Sequence, residues 1–60
     1  MTNTKSVVNT LRDQALVQQA ALESLSMIET DANIKAEILD TVKTISDHIG
    51  ALNHVLRVLE

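Results

Sequence analysis

Aliphatic residues in the second half of the chain recur at alternating steps of four and three positions. This spacing is the heptad pattern of a helix that packs along one stripe against another surface. The residues that carry it are Ile38, Val42, Ile45, Ile49, Leu52, Leu56 and Leu59. They predict a helix over about residues 32–59. At about 1.5 Å per residue, the segment from Asp31 to Glu60 is roughly 45 Å long, more than a compact chain of 60 residues covers with its own atoms.

The first half of the chain carries a looser apolar stripe, which predicts a helix over about residues 5–29. The stripe consists of Val8, Leu11, Ala15, Gln18, Leu22 and Leu25. Extending the heptad of the second helix backwards would place Asp31, Ser24 and Gln14 in core positions. The two stripes are therefore out of phase, and one continuous coiled coil is disfavoured.

A turn is expected over about residues 30–32, because Thr30-Asp31-Ala32-Asn33 is the only interior cluster of weak helix formers. Either Thr30 or Asp31 is suited to cap the second helix, and Lys35 stands four residues after Asp31 in the favourable order for an ion pair. The chain is thus predicted to be all-α: a single helical-hairpin domain over residues 1–60.

The apolar stripes are wider than two helices can cover on each other, which predicts self-association. The simplest closed solution is a two-fold homodimer of hairpins that forms an antiparallel four-helix bundle. A tetramer, or a bundle completed by a different protein, remains an alternative. Gly50 follows a core isoleucine without shifting the heptad phase, so it is interpreted as an outward position, with a helix bend there as the second option.

Composition narrows the chemistry further. The chain has no Cys, Pro or aromatic residue, so disulfides and thiolate metal sites are excluded. Its net charge of −3 is a poor match for nucleic acid or an anionic membrane surface. No apolar block has the length of a signal peptide or a membrane span. We therefore expect a cytoplasmic protein with no membrane partner.

No constellation of side chains indicates catalysis. Ser46, Asp47 and His48 are the residue types of a hydrolase triad. Consecutive helical residues point about 100° apart, however, so these side chains cannot form the hydrogen bonds that a triad requires. His48 and His54 are six positions apart, which separates them around the helix and prevents chelation of one metal ion. We expect neither an enzyme nor a bound metal or cofactor.

Gln18 interrupts the first stripe between Ala15 and Leu22. Hydrogen-bonded across a dimer interface, its amide would fix the register of association at some cost in stability. At the edge of a bundle it would simply be hydrated, and both interpretations stay open.

One polar face of the first helix is a candidate for nucleic-acid contact, formed by Lys5, Asn9, Arg12 and Gln19. In length and expected architecture the chain resembles the plasmid copy-number Rop proteins, small helical-hairpin dimers that bind RNA loops. The lack of aromatic residues and the negative net charge make nucleic acid the disfavoured partner and a hydrated surface the favoured interpretation.

The second half resembles the small bacterial connector proteins of the AriR/YmgB type. The resemblance lies in Asn33-Ile34-Lys35-Ala36-Glu37-Ile38-Leu39, in Ser46-Asp47 and in the segment Val55-Leu56-Arg57-Val58-Leu59-Glu60. It implies a short helical dimer that regulates biofilm formation and acid resistance by acting on signalling or transcription. It brings no catalytic residues.

These observations favour a non-enzymatic regulatory protein, a homodimeric bundle that binds a protein partner. The candidate partner patch is Ala51, Val55 and Val58, which lies beside the second stripe. The alternatives are a nucleic-acid-binding hairpin dimer and a purely structural oligomerisation or assembly factor.

Overall fold

A computed structural model describes residues 3–60 and consists of two helices, α1 (Thr4–Ile28) and α2 (Ala32–Leu59). A loop of three residues reverses the chain, so the helices pack side by side in opposite directions along a rod of 46 × 16 × 13 Å. No strand occurs within the described residues. The prediction of an all-α helical hairpin is confirmed.

The loop is organised by carboxylates. Asp31 is the N-cap of α2, and its Oδ1 accepts hydrogen bonds from the backbone amides of Asn33 at 2.9 Å and Ile34 at 3.2 Å. Glu29 Oε1 accepts the amide of Asp31 at 3.0 Å. The cap satisfies amides that would otherwise lack partners and places a negative charge at the helix start.

The expected ion pair between Asp31 and Lys35 is not formed. Among the residues that the structure describes, the only ion pair joins Arg12 to Asp13. The reason is geometric, because the Asp31 carboxylate is turned toward the first amides of α2 rather than along its surface.

At the other end of the rod, Asn3 caps α1 and accepts the amide of Ser6 at 3.1 Å. The same helix ends where the amide of Glu29 donates to the carbonyl of Leu25, also at 3.1 Å. Both helices therefore begin at a short polar side chain, which is the usual device for starting a helix without tertiary support.

The face of α2 that packs on α1 is the one that the heptad pattern marks out. Ile49 and Leu56 are buried, and the neighbouring stripe positions are half-buried, with Leu59 at the end left 42% exposed. The half-buried positions are Ile38, Val42, Ile45, Leu52 and the adjacent Asn53.

The face of α1 that packs on α2 differs from the predicted stripe. Ala15 and Ser26 are its buried residues, and Leu11, Gln18 and Leu25 are exposed. The half-buried residues that line this face are Val8, Arg12, Gln19 and Leu22. The contact is thus rotated away from Leu11 and Leu25.

Side-chain size explains this rotation. Ala15 and Ser26 are the smallest residues of this face, and small side chains allow a facing helix to approach closely. Ser26 is buried without penalty because its Oγ donates to the carbonyl of Glu23 at 2.7 Å. Arg12 and Gln19 are half-buried at the edge of the contact, where long polar side chains can cover apolar surface with their aliphatic stems.

The hairpin by itself has a thin core. Ala15, Ile49 and Leu56 are its buried apolar residues, and no large side chain among the described residues is fully buried. The radius of gyration is 14.1 Å, against about 10 Å for a compact chain of this length. Much apolar surface is therefore left outside the contact between the helices.

Helix α2 continues through Gly50, which is exposed and has an ordinary helical backbone. A Cβ at this position would meet no atom within 4 Å. We expect Gly50→Ala to raise the free energy of unfolding by about 0.5–1 kcal/mol, because alanine loses less backbone entropy in a helix. Urea unfolding at one fixed protein concentration measures it, and Ala51→Gly, also exposed, is the control of opposite sign. A destabilised Gly50→Ala variant would contradict the expectation.

Removal of the α2 cap should be measurable in the same way. We expect Asp31→Ala to lower the free energy of unfolding by about 1 kcal/mol, because two amide hydrogen bonds and a favourable charge are lost. Thr30→Ala is the matched control, since Thr30 lies in the loop and outside the cap. Equal effects from both variants would show that Asp31 does not stabilise α2 through its cap.

Candidate interaction surfaces

The exposed aliphatic residues of α1 lie to one flank of its contact with α2. Successive helical residues are rotated by about 100°, so relative to Ala15 the side chain of Leu11 is rotated by about 40° and that of Leu25 by about 80° in one sense. Arg12 is rotated by about 60° in the other sense. Leu11 and Leu25 are 45% and 43% exposed.

Helix α2 repeats this arrangement. Relative to the buried Ile49, both Ile34 and Leu59 are rotated by about 60–80° in the same sense as Leu11 is from Ala15, and Val55 lies farther round at the edge. All three are exposed, and the half-buried Leu52 lies on the same flank, rotated by about 60° like Ile34.

These two flanks lie on the same side of the hairpin. Because α2 runs opposite to α1, the same sense of rotation along its chain appears reversed when viewed from one end of the rod. Because its contact face also points in the opposite direction, this reversal is cancelled, and the same sense leads to the same side of the hairpin. We call this surface the apolar side; its exposed members are Val7, Leu11, Leu25, Ile34, Val55 and Leu59. It extends along most of the rod and is therefore a continuous apolar patch rather than a set of isolated exposed residues.

The cations occupy the opposite side. The same rotation argument places every Lys and Arg of the chain there, and we call this surface the cationic side. Its members are Lys5, Arg12, Lys35, Lys43 and Arg57. Glu23 lies among them, as do the exposed Leu16 and Leu39. The hairpin as a whole is therefore amphipathic, with its cations turned away from the apolar side.

The nucleic-acid face predicted from the sequence is partly buried in the hairpin. Lys5 is exposed, but Asn9, Arg12 and Gln19 are half-buried. Arg12 Nη2 donates to Asp13 Oδ1 at 3.3 Å, and its Nε is buried with no hydrogen-bond partner among the described residues. An arginine held in this way presents less of its charge to a phosphate than an extended side chain does.

The predicted partner patch lies on the outer surface of α2. Val58 is 71% exposed, Ala51 is exposed, and Val55 is 41% exposed where the patch meets the apolar side. Ala51 and Val58 point away from α1, so packing on the apolar side would leave them accessible.

Ser46, Asp47 and His48 are all exposed along α2 and point in different directions. Over residues 3–60 no group of three His, Asp or Glu side chains is placed to hold a metal ion, and no pocket is found. Neither α1 nor α2, as described, combines the length and the apolar character needed to cross a bilayer.

Three members of the apolar side, Val7, Ile34 and Val55, are absent from the predicted stripes, and Val55 is predicted only as part of the partner patch. A second heptad stripe on α1, offset by one position from the face that packs on α2, would have indicated the apolar side. It consists of Val7, Leu11, Gln14, Gln18, Ala21, Leu25 and Ile28.

Comparison with models of protein families, with curated proteins and with solved structures finds no match to this chain.

Proposed function

We propose that this protein is a non-enzymatic interaction protein that works as a homodimer, with two hairpins stacked through their apolar sides into a four-helix bundle. The observation that carries the proposal is the row of exposed aliphatic side chains along one side of the rod. In a bundle these side chains would form the central core that the hairpin lacks.

The surface area of the hairpin supports a second copy of the chain as the molecule that covers the apolar side. The hairpin exposes 4554 Å², whereas a compact monomer of 6.6 kDa exposes about 3,900 Å². Two separate hairpins expose about 9,100 Å² and a compact particle of twice the mass about 6,400 Å², so closure removes about 2,700 Å². That area falls within the range of obligate homodimers, about 2,000–5,000 Å².

The charge distribution supports the same stacking. With the apolar sides together, the cationic side of each hairpin faces outward and no Lys or Arg enters the interface. Burial of unpaired cations, which opposes association strongly, is thereby avoided.

A regulatory role through a protein partner completes the proposal. It is supported by the resemblance of the second half to small bacterial connector proteins and by the accessible patch of Ala51, Val55 and Val58. In this assignment the apolar side holds the dimer together and the outer surface of α2 binds the partner.

Leu11→Glu combined with Leu25→Glu should dissociate the dimer, because four carboxylates would enter an aliphatic core. Sedimentation equilibrium should give twice the 6.6 kDa chain mass for the unmodified protein and the monomer mass for this variant. Helicity of the unmodified protein should also fall on dilution.

The matched control adds the same charge to the same helix on its outer surface. Val17→Glu with Met27→Glu alters residues that are 69% and 82% exposed and point away from the apolar side, so the dimer mass should persist. An unmodified protein that stays monomeric and helical at all concentrations would overturn the homodimer.

The partner patch is tested separately with Ala51→Glu combined with Val58→Glu. We expect a stoichiometric protein captured from native cytosol by the tagged chain to be lost, while the dimer mass is unchanged. Because the chain lacks Trp, Tyr and Phe, absorbance of the eluate at 260 nm reports bound nucleic acid. Nucleic acid without a protein would favour the Lys5 and Arg12 face instead, and a variant that loses the dimer would place the patch in the core.

A further inference from the structure

The uncharged polar residues of the apolar side cluster near its middle, while the exposed Glu37 shares the rotation of Val55 at its edge. On α1, Gln14 and Gln18 are rotated by about 100° and 60° from Ala15 toward the apolar side, and they flank the midpoint of Thr4–Ile28. On α2, Thr41 and His48 are rotated by about 80° and 100° from Ile49 in the same sense, and they flank the midpoint of Ala32–Leu59. All four are exposed.

The hairpin brings these four residues to one level. Because the helices are similar in length, antiparallel and joined by a short loop, their midpoints lie side by side. Gln14, Gln18, Thr41 and His48 therefore form a transverse band, which we call the polar belt. Toward the ends of the rod the apolar side carries Leu25 and Ile34 near the loop, with Glu37 at its edge, and Val7 and Val55 near the open end.

The polar belt has unused hydrogen-bonding capacity. Within residues 3–60 the side chains of Gln14, Gln18 and His48 make no hydrogen bond. Thr41 Oγ1 donates to the carbonyl of Glu37 at 2.9 Å and keeps its lone pairs free to accept. The belt can thus donate to and accept from a surface laid across it.

We propose that the polar belt of one hairpin faces the polar belt of the second copy and so fixes the alignment of the homodimer, with the midpoints of the two hairpins superposed. This inference rests on the proposed dimer and adds what determines its register. Gln14 and Gln18 are its specificity-determining residues.

The chemistry of the belt matches a copy of itself. An amide has both a donor and an acceptor, so two identical amides satisfy each other, whereas two identical charges would repel. With the turns at opposite ends, a centred two-fold stack sets Gln14 beside Gln18 of the second copy. With the turns at the same end, it sets the glutamines beside Thr41 and His48 of the second copy.

Displaced stacks lose this match. A shift by one heptad, about 10 Å along the helix, would set the amides of Gln14 and Gln18 against aliphatic side chains such as Leu25 and Ile34. Polar groups buried without partners oppose association. The aliphatic ends alone would tolerate such shifts, because hydrophobic contact is not directional.

The test replaces the amides and measures alignment. The chain contains no Cys. A spin label attached to the thiol of Lys43→Cys, on the exposed cationic side, is therefore the only label in each chain. Double electron–electron resonance on the labelled dimer should give one narrow distribution of distances between the two labels. With Gln14→Leu and Gln18→Leu added, the protein should still associate, with a dissociation constant no higher than before, but give several distances or a mixture of oligomers.

Thr10→Leu with Ser24→Leu is the matched control, since both residues are exposed on the outer surface of α1 and the single distance should persist. Several distances in the labelled parent, or one unchanged distance in the double-leucine variant, would overturn the belt while leaving the dimer intact. A labelled parent of monomer mass would instead overturn the proposed dimer, so the two failures are distinguished by mass and distance.

Discussion

The closest approach of α1 to α2 governs the rest of this molecule. Its buried residues are the small Ala15 and Ser26 on α1 and the large Ile49 and Leu56 on α2. Two helices bury only a narrow stripe of each other, so the choice of that stripe decides where every other side chain points. Here the choice leaves Leu11 and Leu25 outside the contact and gathers them with Ile34 and Leu59 on one side of the rod.

A contact of this kind joins the helices without giving the chain a full core. Few side chains are buried, and none of the large ones described is completely enclosed. Chains near 60 residues are marginal even when compact, and this one is extended. In the proposed dimer, the stability of the hairpin and its assembly would be one equilibrium.

The sequence predicts the elements well because they depend on local signals. The heptad run from Ile38 to Leu59 indicates one helix, and Asp31 indicates its start. It does not predict which face of α1 meets α2, because a hydrophobic pattern ranks residues by polarity, whereas helix approach also depends on size. The polarity of Arg12 and Gln19 predicts surface residues, yet both are half-buried. The apolar side is identified only when the rotations of both helices are combined.

Driving force and specificity come from different side chains in an interface of this kind, which explains why an aliphatic side would carry polar residues at its centre. Leucine and isoleucine supply the driving force for association but accept many alignments, since their contacts lack direction. Amides such as those of Gln14 and Gln18 add little driving force and penalise every alignment that leaves them unpaired. At the midpoint of a two-fold interface they meet equivalent groups, so a few polar residues there can select one arrangement from several of similar hydrophobic area. Under the proposed function, a single arrangement would matter because it would set the spacing of the two copies of the partner patch.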